Sequence, residues 1–157
     1  MKKNTRLLII CLLIPLAVGV ISALISRGAM DTFNTLEKPP LSPPAWLFPV
    51  VWTVLYLLMG YSLYLVLKAR SDTMTLNRAL YLFFLQLFFN FFWPIFFFNF
   101  SLYIFSFGWL VVMWGLILAM ILTFLKISRR AALVNLPYLI WVAFAGYLNL
   151  GIAILNV

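Results

Sequence analysis

A chain of 157 residues with 66% hydrophobic residues, 9% charged residues and a mean hydropathy of +1.13 carries more apolar surface than a water-soluble globule can bury. Its net charge of +8 comes from eleven Lys and Arg set at the ends of apolar runs, not interleaved with aromatics as a nucleic-acid-binding patch requires, so no nucleic-acid partner is expected. With no His and a single Cys (Cys11), the chain lacks the ligand sets of zinc, di-iron and His-ligated haem sites and cannot close an intrachain disulfide, so neither a metal nor a cofactor is expected.

The basic start, Met1 to Arg6, resembles the beginning of a secretory signal. The run from Leu7 to Ile25 is longer than the usual apolar region of about 7–15 residues and has no A-x-A cleavage site, so it reads as a retained span. Spans are predicted at about 7–26, 46–67, 79–99, 102–126 and 132–155. Each is close to the roughly 20 residues a helix needs to cross a hydrocarbon core of about 30 Å. Barrel strands need about half that length and alternate apolar with polar positions, which these runs do not. The expected fold is an all-α, five-transmembrane-helix bundle forming one domain over 1–157, in a bacterial-type plasma membrane.

Lys2, Lys3, Arg6, Lys68, Arg70, Arg78, Lys126, Arg129 and Arg130 fall on one side of such a bundle, against Arg27 and Lys38 on the other, which predicts a cytoplasmic N-terminus. The long connection 27–45 holds Pro39, Pro40, Pro43 and Pro44 and is expected to be stiff, extended and non-helical, either a lid or an ordinary exit loop. Pro15, Pro49, Pro94 and Pro137 fall in four different spans and are expected to bend them. The uncharged hinge near Asn99 and Ser101 makes spans three and four a tight antiparallel pair. Trp46, at the mouth of the second span, is expected to be an interfacial anchor.

No Asp, Glu, Lys or Arg lies mid-span, which argues against a proton relay or ion pump, and no phosphate-binding loop or nucleophile elbow is present. Two faces stand out at helical spacing: Trp52, Tyr56, Met59 and Leu63 in span two, and Trp141, Phe144, Ala145 and Leu148 in span five. They either pack a core or enclose a flat-walled apolar pocket for a planar ligand. Gln86 and Asn90, four residues apart, and Asn149 are amides inside spans, which either bond helix to helix or reach a ligand.

Three segments resemble the TspO/MBR family of translocator proteins and tryptophan-rich sensory proteins. They are Leu36-Glu-Lys-Pro-Pro-Leu-Ser-Pro-Pro-Ala-Trp46 running on through Val51-Trp-Thr-Val-Leu-Tyr56 to Tyr61, Asn90-Phe-Phe-Trp-Pro94 with Phe97-Phe98, and Pro137-Tyr-Leu-Ile-Trp141 through Phe144-Ala145 to Leu148-Asn149. The resemblance implies a five-helix bundle whose long first loop closes over a cavity. It further implies binding of porphyrins such as protoporphyrin IX, of sterols in animal members and of benzodiazepine-type compounds, with homodimers frequent. By matching position it places Trp52, Asn90, Trp93, Trp141, Ala145 and Leu148 in the pocket. Tyr56, Phe97 and Phe144 are added as neighbours on the same segments, with Lys38, Pro39, Pro43 and Pro44 as the lid. Thr32-Phe33 stands where bacterial members often carry Trp-Tyr, Leu41 where an aromatic is usual, and no Tyr followed by a basic residue comes after Leu148-Asn149 to complete a cholesterol-recognition pattern.

The expected function is binding of hydrophobic tetrapyrroles for sensing or transport, in contact with membrane lipid. Asn90 is expected to supply a polar contact, and Lys38 or Arg27 to face propionates. The alternatives are light- and oxygen-dependent porphyrin degradation, for which Trp52 and Trp141 would be the redox-active groups, and a structural or stress-response membrane partner. No catalytic residue is otherwise assigned.

Overall fold

The computed structural model describes residues 2–156, apart from the side chains of residues 2, 3, 29, 30 and 32. The expectations on the side chains of Lys2, Lys3 and Thr32 therefore lie outside the described residues. In chain order come α1 (Lys2–Ser26), a 3₁₀ turn (Arg27–Ala29), α2 (Met30–Thr35), α3 (Leu47–Lys68), α4 (Thr73–Pro94) extended by a π turn (Ile95–Asn99), α5 (Tyr103–Leu125), α6 (Arg129–Val134) and α7 (Leu136–Asn156). Among the described residues, five stretches are long and apolar enough to cross a membrane: Asn4–Ser26, Leu47–Lys68, Thr73–Asn99, Tyr103–Leu125 and Arg129–Asn156. The outward faces carry Ile9, Leu13, Val20, Leu24, Val54, Phe88, Val112, Leu122, Ile140 and Ile154, side chains that only lipid solvates without cost. The chain is an integral, multi-pass, all-helical membrane protein.

α1 packs on α3 and α4, α4 on α5, α5 on α6 and α7, and α6 on α3, so the long helices follow one another around the bundle as α3, α1, α4, α5, α7. The approach of α1 to α3 needs Gly60, where a Cβ would sit 2.6 Å from both the Cys11 carbonyl oxygen and the Leu12 Cα. Buried amides and phenols tie the interior. Tyr56 donates to Asn90 Oδ1 (2.6 Å), Asn90 Nδ2 donates to the Tyr138 hydroxyl (2.9 Å), and Tyr138 donates to Gln86 Oε1 (2.7 Å), which joins α3, α4 and α7. Trp93 donates to Asn149 Oδ1 (3.0 Å), and Asn149 Nδ2 donates to the Tyr103 carbonyl (2.7 Å). Helix-to-helix bonding, one of the two roles open to these amides, is made by Gln86, Asn90 and Asn149 alike.

Helix ends follow local chemistry. α4 starts at Thr73, six residues before the predicted span, because the Asp72 carboxylate accepts from the Thr75 N–H (2.8 Å) and caps the first turn. That bond holds the Asp72 carboxyl below the usual carboxylate range. The fifth span starts at α6, capped by Ser128, and breaks at Asn135 because Pro137 cannot donate to the preceding turn.

Two expectations are corrected. The connection 27–45 is helical over its first nine residues, as a 3₁₀ turn and α2, because the prolines begin only at Pro39 and Asp31 favours the first turn of α2. Pro49 bends nothing. It lies in the first turn of α3, where its missing N–H would have no helical partner anyway. Pro94, by contrast, closes α4 at the π turn, where the Phe100 N–H reaches back to the Ile95 carbonyl (3.2 Å), and Ser101 then takes φ 53° to start α5.

Candidate functional site: an aromatic chamber beneath the loop

A void of about 150 Å³ opens between α1, α3 and α4 at the end of the bundle where α1 stops and α3 starts. Its existence is a consequence of α1. Gly19, Ser22, Ala23 and Ser26 fall at spacings of three, four and seven, so one face of that helix has almost no side-chain volume. The Tyr56 ring fills part of the space, packed so closely on Gly19 that no Cβ would fit there. The rest of the wall is mostly aromatic, with Phe33 from α2, Phe48 and Trp52 from α3, Trp93 from α4 and Phe98 from the π turn, completed by Pro49, Asn90 and Pro94. Trp52 and Trp93 lie 6.3 Å apart between ring centroids at 34°, so two indole faces border the same volume. A second void of about 20 Å³ shares Phe33, Phe48, Trp93 and Phe98 with the first and reaches Phe97, Ala145, Leu148 and Asn149.

The predicted site residues divide between these spaces. Trp52, Tyr56, Asn90 and Trp93 line the larger void, and Phe97, Ala145 and Leu148 the smaller. Trp141 and Phe144 line neither: Trp141 meets Phe48 edge-on at 6.0 Å and Phe144 at 5.5 Å, standing one ring behind the chamber wall. The side of α3 facing α7 is filled by the fully buried Tyr138, whose ring is 6.2 Å from that of Trp52. The void opens instead on the α1 side, through residues that sequence reading passed over. Their signal was present in the small-residue spacing from Gly19 to Ser26, in a span whose other positions are mostly large. Asn90 borders the void, but both atoms of its amide are engaged with Tyr56 and Tyr138.

The proline segment lies over this end of the bundle and is fastened to α7. Asn156 bonds the Glu37 backbone in both directions, accepting from its N–H (3.0 Å) and donating to its carbonyl (2.8 Å). Tyr147 donates to the Pro40 carbonyl (2.8 Å), and Pro39 sits so close to Gly151 that a Cβ there would be 2.6 Å from its ring. Ser42 donates to the Pro39 carbonyl (2.7 Å) across a turn in which Leu41 takes φ 67°. Pro43 and Pro44 lead into α3, with the Pro44 carbonyl accepting from the Leu47 N–H (3.0 Å). The Lys38 ammonium rests 4.6 Å from the centroid of Phe33, a ring of the chamber wall, which places a cation against one ring of a void lined by uncharged side chains.

Comparison with known proteins agrees with this architecture. The model of the TspO/MBR family matches residues 11–155. The chain is 38% identical to the tryptophan-rich protein TspO of Chlorobaculum tepidum over 157 residues, covering 99% of each chain. It is 33% identical to the translocator protein of Bos taurus over 145 residues, 87% of this chain and 82% of the relative. It is 32% identical to the tryptophan-rich sensory protein of Cereibacter sphaeroides over 119 residues, 76% of this chain and 73% of the relative. A five-span helical bundle matched along nearly its whole length belongs to the TspO/MBR family.

Proposed function

We propose that the protein binds hydrophobic planar ligands, porphyrins foremost, in the chamber between α1, α3 and α4, for sensing or transport. One observation carries this reading: a void walled by Trp52, Trp93, Phe33, Phe48 and Phe98 inside a membrane-spanning bundle, at the end where the proline-rich segment is fastened to α7. Offset and edge-on aromatic contacts with a flat π-system contribute roughly 0.5–1.5 kcal/mol each beyond the burial of area. Lys38, at the roof, has the charge and reach to pair with a carboxylate at the edge of a macrocycle. Trp141 and Phe144 act from behind, by holding Phe48 in place.

Pockets that enclose drug-sized ligands run from roughly 300 to 1,000 Å³, so a tetrapyrrole enters the 150 Å³ void only as the roof lifts and the shared rings Phe33, Phe48 and Phe98 turn to merge it with its smaller neighbour. The entrance lies opposite the basic loops, and by the positive-inside rule it faces away from the cytoplasm.

The test is a titration of protoporphyrin IX into purified protein in lipid nanodiscs, followed by tryptophan fluorescence. Saturable quenching is expected, weakened severalfold by Trp52→Phe combined with Trp93→Phe. Quenching that never saturates, or an affinity untouched by the double substitution, overturns the reading.

A further inference from the structure

The hydroxyl of Ser26 lies in the chamber wall on a residue only 2% exposed, and it has no hydrogen-bond partner. Hydroxyls within helices ordinarily satisfy themselves on a carbonyl three or four residues back. Ser62, Ser106, Thr53 and Thr123 do so here, at 2.7–3.0 Å. Ser22, one turn before Ser26 and also on the chamber, donates to the Phe91 carbonyl (2.8 Å). Ser26 does neither, and a buried polar group left unmade is a cost the fold does not otherwise carry on this wall. The neighbouring chamber amide of Asn90 and the hydroxyl of Tyr56 are already engaged with each other.

We infer that Ser26 is a specificity-determining residue of the chamber, and that its hydroxyl donates to a neutral acceptor, a ring nitrogen or a carbonyl oxygen, on a planar one- or two-ring aromatic molecule. Size follows from the void of about 150 Å³, the scale at which an apolar protein cavity takes up benzene. Neutrality follows from the wall, which includes no Asp, Glu, Lys or Arg, so a charge there is desolvated without compensation. The acceptor is required because Ser26 has a proton to give and nothing to give it to. This inference rests on the reading of the chamber as a ligand site and adds the chemistry of what the chamber selects at its present size.

The experiment compares quinoline with naphthalene, which have the same shape and differ by one acceptor nitrogen. Retention by protein-loaded nanodiscs above that of empty nanodiscs is measured by equilibrium dialysis at neutral pH, for the native protein, Ser26→Ala and Ser26→Thr. Ser26→Ala is expected to weaken quinoline binding about 5- to 10-fold, the worth of one hydrogen bond, and to leave naphthalene within about twofold on the same grounds. Ser26→Thr, which keeps the hydroxyl, restores the preference. The Tm of the unliganded Ser26→Ala protein is expected to be unchanged or higher, since an unpaired hydroxyl has been removed, so loss of fold does not mimic the result. Equal effects of Ser26→Ala on the two compounds overturn the inference. If neither compound is retained while protoporphyrin IX still quenches saturably, the inference falls and the chamber reading stands; if protoporphyrin also fails, both fall.

Discussion

Asn156→Ala should loosen the roof without touching the chamber. The side-chain amide of Asn156 makes two bonds to the Glu37 backbone, at 3.0 and 2.8 Å, and both lie where water can replace them. At the low end of the net worth of such bonds, roughly 0.5–1 kcal/mol each, their loss shifts the roof equilibrium by about 1–2 kcal/mol. That corresponds to a rise of about 5- to 30-fold in the open fraction. Hydrogen exchange at the Glu37 amide, which Asn156 protects, should accelerate by that factor. The association rate of protoporphyrin IX in stopped-flow quenching should rise with it, since a ligand larger than the closed void must wait for the roof. Tyr147→Phe, which frees the Pro40 carbonyl, should add to the effect. Unchanged exchange at Glu37 in Asn156→Ala would refute the fastening, and faster exchange with an unchanged association rate would refute the roof as the entrance.

Tyr138→Phe removes a hydroxyl that serves both Asn90 and Gln86 and leaves two buried amide atoms unpaired, so a loss of about 1–3 kcal/mol in stability toward denaturant in mild detergent is expected; a loss under about 0.5 kcal/mol would show that the chain of bonds contributes nothing net. Gly60→Ala pushes a Cβ against the backbone of α1, which cannot swing aside as a side chain can, and should cost about 1–3 kcal/mol and lower the Tm; an unchanged Tm contradicts the close approach of α1 to α3. Asp72 caps α4 in its ionised form, so the capping contribution is complete above the ordinary carboxylate pKa of about 3.9 and fades as pH falls through the lower folded value. The Thr75 amide proton should therefore titrate in NMR with a midpoint below that of an ordinary Asp, and a midpoint at or above it contradicts the bond.

The number of spans, their order and the proline segment were legible because an apolar run of about 20 residues has one use and a proline has few. The buried amides were legible as residues that must find partners, but not as a connected set. Nothing in the spacing of Gln86 and Asn90 says that Tyr56 and Tyr138 complete them from other helices. The indoles were legible as wall material, while the side on which the void opens was not, because a void is defined by what is absent. Trp52 and Trp141 draw the eye to α3 and α7, yet the space comes from four small residues on α1, beginning at Gly19. Local chemistry likewise overrode the broad pattern at residues 27–35, where Phe33 turns inward and a short helix precedes the prolines.

The most direct test is an experimental density map of the protein in lipid with protoporphyrin IX bound. The account predicts the macrocycle between Trp52 and Trp93, beneath the 36–44 segment, with Phe48 and Phe98 turned from their present positions. Density instead in the outward groove of about 390 Å³ between α5 and α7, against Phe107, Trp114 and Gly146, with the chamber rings unmoved, would contradict it.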